Sequence, residues 1–313
     1  MKLNRFFIII IILALIVIFI TGCNSYEYEK DLYNDKIKII TTLFPQYDFA
    51  NEIVKDKGEV KLLLPPGVEA HSYEPTPKDI VDIKKADVFI YTGKYMEPWA
   101  EKMIKEIDDS TIVIDISKGI ELVDEEDWEH NHEHHGKDPH IWLDPVYAQK
   151  IVDNILEGII KADSKNENFY RQNAENYKEK LAELDKKFVE TFSKVKHKTI
   201  IHGGHFAFGY FAKRYGLEYI SPYDGFSPNA EPTPKKISEL MNNMKSLGIN
   251  VIYYEELIDP KVAKIISEET GGKMLLLHGA HNISKEELES GISYIEIMES
   301  NLDRLKEGLV YDE

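Results

Sequence analysis

The chain has 313 residues, and its 55 Asp and Glu outnumber 38 Lys and Arg, so the formal net charge is −17. This acidic balance repels phosphate backbones and anionic lipid head groups, which excludes a nucleic-acid partner from the expected functions. Cys23 is the only cysteine, so neither a disulfide framework nor a thiolate metal site is expected. Any metal must therefore be held by His, Asp or Glu.

The N-terminus carries a short apolar segment. Two basic residues precede an uninterrupted apolar run at 6–20, and two small residues separate this run from Cys23. A helix that spans a membrane needs about 20 apolar residues, so the shorter run fits the core of a signal peptide. The pattern resembles a bacterial lipoprotein signal, which implies a signal peptide over 1–22, a lipid on Cys23, and anchoring on the extracytoplasmic face of the cell membrane. Residues 23–35 are expected to form a polar tether.

Two parts of the chain repeat one order of sequence patterns. In each part an apolar strand leads to a helix, a second strand, the phrase Glu-Pro-Thr-Pro-Lys and a third strand. The strands are predicted at 38–42, 60–64 and 87–91, and again at 198–201, 217–221 and 250–254. The first helices are predicted at 44–57 and 205–215, and the phrases lie at 74–78 and 231–235. Each phrase places Thr at a helix N-cap and Pro at the first helical position.

Strands that are apolar throughout and alternate with helices predict parallel sheets covered on both faces. We therefore expect an α/β fold with two pseudo-repeated lobes, each a parallel sheet flanked by helices, joined by one long rigid α-helix. The predicted boundaries are 36–163 for the N-terminal lobe, 164–196 for the linking helix and 197–313 for the C-terminal lobe.

The linking helix is predicted from a stretch without Gly or Pro at 166–195. Apolar residues recur there at spacings of three and four, and about 30 residues at 1.5 Å per residue make a rod of roughly 45 Å. Such a stripe fits either a coiled-coil dimer or a helix packed along both lobes of one chain. Its place between the repeats favours the second arrangement, and we expect a monomer. One last helix is predicted from a capping box of Ser284 and Glu287.

The chain has 11 histidines, and several follow predicted strands or precede predicted helices. Open parallel sheets bind ligands beyond the carboxyl ends of their strands, and neutral imidazole is a common ligand of zinc. His71 lies in a proline-rich loop after a strand, and His140 precedes a helix that Asp144 is expected to cap. Two pairs follow later strands: His202 with His205, and His278 with His281. One histidine from each of these four places gives the number of nitrogen ligands that tetrahedral zinc binds.

Five phrases are specific enough to compare with known proteins: Leu-Phe-Pro at 43–45, Gly-x-x-x-His at 67–71, Asp-Pro-His-Ile-Trp-Leu-Asp-Pro at 138–145, His-x-x-Phe-Gly-Tyr at 205–210, and Ala-His-Asn-Ile-Ser at 280–284. With them the chain resembles the metal-specific substrate-binding lipoproteins of bacterial ABC transporters, the zinc and manganese group with one long rigid helix between its lobes. The resemblance implies metal ligands at His71, His140 and His205. It places the fourth ligand at His281, where manganese members usually have Asp and some zinc members leave the position to water or Glu. It also implies Zn²⁺ as the transported ligand, with a permease and its ATPase as partners.

Imidazole at all four implied positions favours zinc, because manganese prefers oxygen ligands. A manganese- or iron-specific protein of the same fold stays an alternative, and copper(II) and nickel(II) also bind imidazole well.

A zinc-dependent hydrolase is the alternative from another class. It requires an open coordination position and often shows His-Glu-x-x-His on one helix. The sequence lacks that phrase, so no catalytic residues are expected.

A separate His-rich tract contains His130, His132, His134 and His135. It is either a solvated loop or a low-affinity zinc collector, and it would bind weakly because ordering a flexible loop costs conformational entropy.

The second ring nitrogen of each ligand is expected to be held by a carboxylate or a main-chain carbonyl, with Asp144, Glu255 and Asp224 as candidates. Because only neutral imidazole binds metal, affinity is expected to fall below about pH 6.5.

Overall fold

The computed structural model describes residues 36–124, 136–223 and 232–311. The predicted signal peptide, Cys23, the tether, the His-rich tract and Asp224 lie outside the described residues. From Ile37 onward the chain forms one compact unit. None of the described helices is both long and apolar enough to cross a membrane.

The first part of this unit contains a four-stranded parallel sheet. Its strands are β1 (Ile37–Thr41), β2 (Gly58–Leu62), β3 (Val88–Tyr91) and β4 (Ile112–Asp115), in the order β2-β1-β3-β4. They are connected through α1 (Phe44–Val54), α2 (Pro77–Ile83) and α3 (Ala100–Ile104). Side chains of a strand alternate between faces, and those of β3 join one apolar cluster on each face. The sheet is therefore covered on both sides, as its apolar runs predict.

Two long helices, α4 (Pro145–Ala162) and α5 (Glu167–Phe192), lead to a second part that repeats the first. It comprises β5 (Thr199–Ile201), α6 (Gly209–Tyr215), β6 (Glu218–Ile220), α7 (Pro234–Leu247), β7 (Val251–Tyr254), α8 (Lys261–Thr270) and β8 (Lys273–Leu276). Strand β5 pairs with β6 and β7 pairs with β8, both in parallel. A single parallel bridge between His202 and Tyr253 joins the two pairs in the order β6-β5-β7-β8. This order matches that of the first sheet, which confirms the predicted repeat.

Both Glu-Pro-Thr-Pro-Lys phrases lead into helices as predicted. Thr76 accepts a hydrogen bond from the Asp79 N–H at the start of α2, and Thr233 accepts one from the Lys236 N–H at the start of α7. Proline occupies the first turn of both helices. An N-cap of this kind satisfies one of the main-chain donors that every helix start leaves unpaired, so a local signal suffices to fix these boundaries.

Two helices in the second part differ from their predicted bounds. The helix expected from residue 205 begins only at Gly209, so His205 lies in an irregular segment. The last predicted helix is in fact two helices, α9 (Lys285–Ser290) and α10 (Tyr294–Gly308). They separate because Gly291 takes a left-handed φ of 72°, and Ser293 forms a new capping box with Glu296.

Helix α5 has 26 residues, which is about 39 Å at 1.5 Å per residue. It is shorter than predicted because a 3-10 turn, Ser164–Asn166, precedes it. Every member of the predicted apolar stripe is buried. The helix packs on α1 and α4 from the first part and on α10 from the second, and Tyr177 donates a hydrogen bond to Asp48 of α1 at 2.7 Å. The stripe is thus covered by the same chain.

Candidate metal centre

Four histidine side chains from four different loops meet beyond the ends of the two sheets. His71 lies between β2 and α2, and His140 precedes α4. His205 lies between β5 and α6, and His281 lies between β8 and α9. The ring centroids are 5.0–5.9 Å apart in all six pairs. One ligand nitrogen from each of His71, His140 and His281 lies within 4.8 Å of the other two.

The spacing of these nitrogens suits one metal ion. Four nitrogens at about 2.0–2.1 Å from tetrahedral zinc lie about 3.3 Å from one another, and the Nε2 atoms of His71 and His140 are 3.3 Å apart. The Nε2 atoms of His205 and His281 are buried and have no hydrogen-bond partner among the described residues. An unpaired buried polar atom costs about 1–3 kcal/mol, and a shared cation would satisfy these lone pairs together.

Three of the four rings are held from behind by carboxylates. The Nδ1 atom of His140 lies 2.7 Å from Asp138, that of His205 lies 3.2 Å from Glu255, and that of His281 lies 3.1 Å from Glu256. A carboxylate on Nδ1 keeps the proton on that nitrogen, so the Nε2 lone pair faces the centre of the cluster. The same bond makes the imidazole a stronger metal ligand.

Sequence reasoning anticipated only one of these carboxylates. Glu255 holds His205 as expected, whereas the expectation for Asp144 is wrong because this side chain caps α4 by accepting the Val146 N–H at 2.8 Å. Asp138 and Glu256 were missed. Both could have been found from their position, because Asp138 precedes His140 by two residues and Glu256 follows Glu255 at the carboxyl end of β7.

Burial keeps two of the four imidazoles, His71 and His140, in the neutral form that can bind metal. It lowers the pKa of His71 and the pKa of His140 well below the ordinary value, and the neighbouring imidazoles lower both further. These rings are therefore neutral at physiological pH. Burial raises the pKa of Glu256, but the nearby histidines, His278 first, outweigh burial and lower that pKa below its usual range. The Glu256 carboxyl is therefore ionised and attracts a cation.

Two other buried histidines stay outside the cluster. The Nδ1 atom of His278 accepts the Ala280 N–H at 2.9 Å, and its Nε2 atom lies 3.6 Å from Glu287. His202 packs edge-on against Phe206, with ring centroids 5.6 Å apart. Of each pair that the sequence left open, the later histidine is the one that joins the cluster.

The turn before His281 has a constrained backbone. A Cβ atom added to Gly279 would lie 2.7 Å from the His281 ring, so only glycine fits there without a shift. Ala280 has a φ of 54°, in the left-handed region that residues other than glycine rarely enter. The Trp142 indole donates to the Gly279 carbonyl at 2.8 Å. This turn aims the His281 ring into the cluster.

A small cleft of about 20 Å³ lies beside the cluster. His71 and His281 line it, together with Glu255, Glu256 and Asn282. His71 is half-buried, whereas the other three rings of the cluster belong to residues that are at most 7% exposed. His71 is therefore the most exposed residue of the cluster.

Two repeated α/β parts, a long helix between them and four convergent imidazoles define a metal-binding protein of the solute-binding class. The chain matches, over residues 39–308, the family model described as ZnuA, zinc-uptake complex component A, periplasmic. It belongs to that family.

Similar proteins agree in sequence and in fold. The chain is 41% identical over 297 residues to the high-affinity zinc uptake system protein ZnuA of Bacillus subtilis (strain 168), and this match covers 92% of each protein. It is 34% identical over 315 residues to the zinc-binding protein AdcA of Streptococcus pyogenes serotype M3, but spans only 61% of that protein's length.

Two solved structures share the architecture. The metal-dependent lipoprotein YcdH of Bacillus subtilis is 42% identical, with a TM-score of 0.77 over 88% of this chain and 100% of the other. The Zn(II)-bound ZnuA-like domain of Streptococcus pneumoniae AdcA is 33% identical, with a TM-score of 0.76 over 88% of this chain and 99% of that domain.

Proposed function

We propose that the protein captures Zn²⁺ for an ABC importer and passes the ion to a membrane permease that works with an ATPase. The observation that carries the proposal is the cluster of four imidazole rings with centroids 5.0–5.9 Å apart, three of which are hydrogen-bonded to carboxylates through Nδ1. Relatives named as zinc-uptake and zinc-binding proteins support zinc as the cargo. The proposed ligands are His71, His140, His205 and His281.

The donor set favours zinc over manganese. All four proposed ligands offer imidazole nitrogen, whereas manganese prefers carboxylate, carbonyl and water oxygen. The nearest carboxylates hydrogen-bond the Nδ1 atoms of the rings and so lie one imidazole away from the ion. A buried Zn²⁺ brings two positive charges into the interior, and the carboxyl groups of Asp138, Glu255 and Glu256 lie next to the proposed ligands, where negative charge compensates for them.

The same geometry favours a carrier over an enzyme. A catalytic zinc site keeps one coordination position for water or substrate. Four imidazoles complete a tetrahedral shell, so no position is left for a water nucleophile. The hydrolase hypothesis therefore has no support from the cluster, and we assign no catalytic residue.

The site's place in the chain suggests how capture works. Helix α5 packs on elements of both repeated parts, which opposes the wide hinge bending of carriers whose lobes are joined by flexible strands. Capture and release then rely on small movements of the loops that carry the four histidines. We propose lobes at 36–163 and 197–313 on either side of the linking helix 164–196.

The regions outside the described residues complete the proposal. A lipid on Cys23 would hold the protein at the extracytoplasmic face of the cell membrane, within reach of the permease, and residues 23–35 would serve as the tether. The His-rich tract would collect zinc at low affinity ahead of the buried site. We propose that the protein acts as a monomer.

The experiment that tests the function is metal analysis of protein purified without chelator, followed by competition titrations with Zn²⁺ and Mn²⁺. We expect one tight zinc per chain, and we expect His281→Ala to weaken it strongly. His197→Ala is the matched control, because His197 lies outside the cluster. Tight manganese binding with weak zinc binding would favour the manganese alternative, and loss of the tight site in the control variant would refute the assignment of the ligands.

A further inference from the structure

The segment that carries His281 is joined to the loop before His71, which is more than 200 residues away in sequence. The Nδ2 atom of Asn282 donates to the Pro65 carbonyl at 2.7 Å and to the Val68 carbonyl at 2.9 Å. The Gly67 N–H donates to the Ile283 carbonyl at 2.9 Å. The loop that leads to His71 is thus hydrogen-bonded to the residues that directly follow His281.

Two more bonds join the same segment to the first part. The Phe44 N–H at the start of α1 donates to the His281 carbonyl at 3.1 Å. The indole of Trp142, two residues after His140, donates to the Gly279 carbonyl. Although the sequence places His281 in the second repeat, its main chain is therefore fixed to the loops that hold His71 and His140.

Asn282 differs from Trp142, the other side chain among these bonds, because it donates to two main-chain carbonyls at once. Asn282 is fully buried, and both of its partners are main-chain carbonyls, which only accept hydrogen bonds. The amide nitrogen must therefore face them, and a carboxylate of the same shape would place a negative oxygen against two carbonyl oxygens. Asn282 also lines the cleft between His71 and His281.

Resting on the proposed zinc site, we infer that Asn282 is a positioning residue that fixes the His281 loop to the His71 loop and so presets these two proposed ligands relative to each other. The observation behind this inference is that His71, His140 and His281 already bring their ligand nitrogens within 4.8 Å of one another. A preset site loses less freedom when it binds the ion, which increases affinity and slows dissociation. Asn282 touches no metal in this role and acts through His281.

The test compares Asn282→Asp with a matched control, Asn154→Asp. The Nδ2 atom of Asn154 also donates to two main-chain carbonyls, those of Ile116 at 3.0 Å and Lys118 at 2.9 Å, but neither partner adjoins a proposed ligand. Zinc affinity is measured by competition with a chromogenic chelator, and the dissociation rate is measured by stopped-flow mixing with excess chelator. We expect Asn282→Asp to weaken zinc binding about 10- to 100-fold, mostly through faster dissociation, as is common for residues that support a ligand. We expect Asn154→Asp to stay within about twofold of the unmodified protein.

A spectroscopic measurement separates positioning from general stability. Co²⁺ bound at the site has an absorption spectrum that depends on its ligands, and we expect the Asn282→Asp spectrum to shift towards that of His281→Ala. We also expect the double variant His281→Ala/Asn282→Asp to bind zinc no more weakly than His281→Ala alone, because Asn282 acts through that ring. If Asn282→Asp fails to fold, Asn282→Ser keeps one donor and should lose a smaller part of the affinity with the same change in spectrum.

The outcomes distinguish this inference from the function on which it rests. If Asn282→Asp or Asn282→Ser weakens zinc binding no more than Asn154→Asp, or if the effects of His281→Ala and Asn282→Asp add in full, the positioning role is overturned. If the unmodified protein has no tight zinc site, the proposed function fails instead; if His281→Ala keeps the tight site, the assignment of His281 as a ligand fails, and the positioning role fails with it.

Discussion

Glu256 offers a sharp test of how the protein tunes its metal site. This buried carboxylate accepts the Nδ1–H of His281 at 3.1 Å, the His281 N–H at 3.3 Å and the Gly279 N–H at 2.7 Å. Glu256→Gln keeps the shape but removes the charge, and its amide nitrogen must face one of these donors. A charge-assisted hydrogen bond contributes about 1.5–3 kcal/mol. Because about 1.4 kcal/mol corresponds to a tenfold change, we expect zinc affinity to fall by roughly 10- to 150-fold.

The assay is a zinc competition titration on Glu256→Gln beside Glu97→Gln. Glu97 is a suitable control because it is also a fully buried carboxylate, but it accepts hydrogen bonds from Thr42 and Thr92 instead of a histidine. We expect the control to change thermal stability without changing zinc affinity. Unchanged affinity in Glu256→Gln, or an equal loss in both variants, would refute the reasoning that the carboxylate orients and strengthens the ligand.

Three further predictions concern the ligands, pH and the His-rich tract. Replacing any one proposed ligand with alanine should weaken zinc binding far more than His197→Ala does in the same titration. The variants to compare are His71→Ala, His140→Ala, His205→Ala and His281→Ala. Because burial lowers the pKa of His71 and the pKa of His140, protons compete with zinc only below the ordinary imidazole range. Affinity should therefore hold from pH 8 to about 6.5 and fall only at lower pH, and a fall that is already complete at about pH 6.5 would refute the claim that burial keeps these two rings neutral. Deletion of 129–135 should keep one tight zinc in metal analysis and lower the total zinc bound, and loss of the tight site would assign the tract a different role.

Much of the fold was predictable because its signals are local. Thr76 and Thr233 cap their helices through bonds to residues three positions away, so the sequence around each position contains the whole interaction. The apolar stripe of α5 repeats at helical spacing, and each of its members is buried as predicted. The break before α10 was also encoded locally, by Gly291 and the capping box at Ser293. That break was missed because the apolar residues on either side of it fit one continuous helix.

The site was predictable in its residue types and less so in its partners. Histidines after successive strands, in a chain with one cysteine, restrict a metal site to imidazole and carboxylate ligands. Whether His278 or His281 joins the cluster depends on a turn in which Ala280 takes a left-handed φ. No local sequence pattern predicts that turn. The carboxylate partners of His205 and His281 lie on the loop after β7, 50 and 25 residues away in sequence.

The sequence by itself thus determined the repeat, the long helix and the kind of ligand, because periodicity, capping and side-chain chemistry act over a few residues. Only the tertiary structure decided which nitrogens meet, which carboxylates hold them, and that the His281 loop is joined to the His71 loop through Asn282. These features depend on contacts between segments up to 217 residues apart in sequence. Such contacts form when the two repeated parts pack together, and short-range patterns in the chain do not encode them.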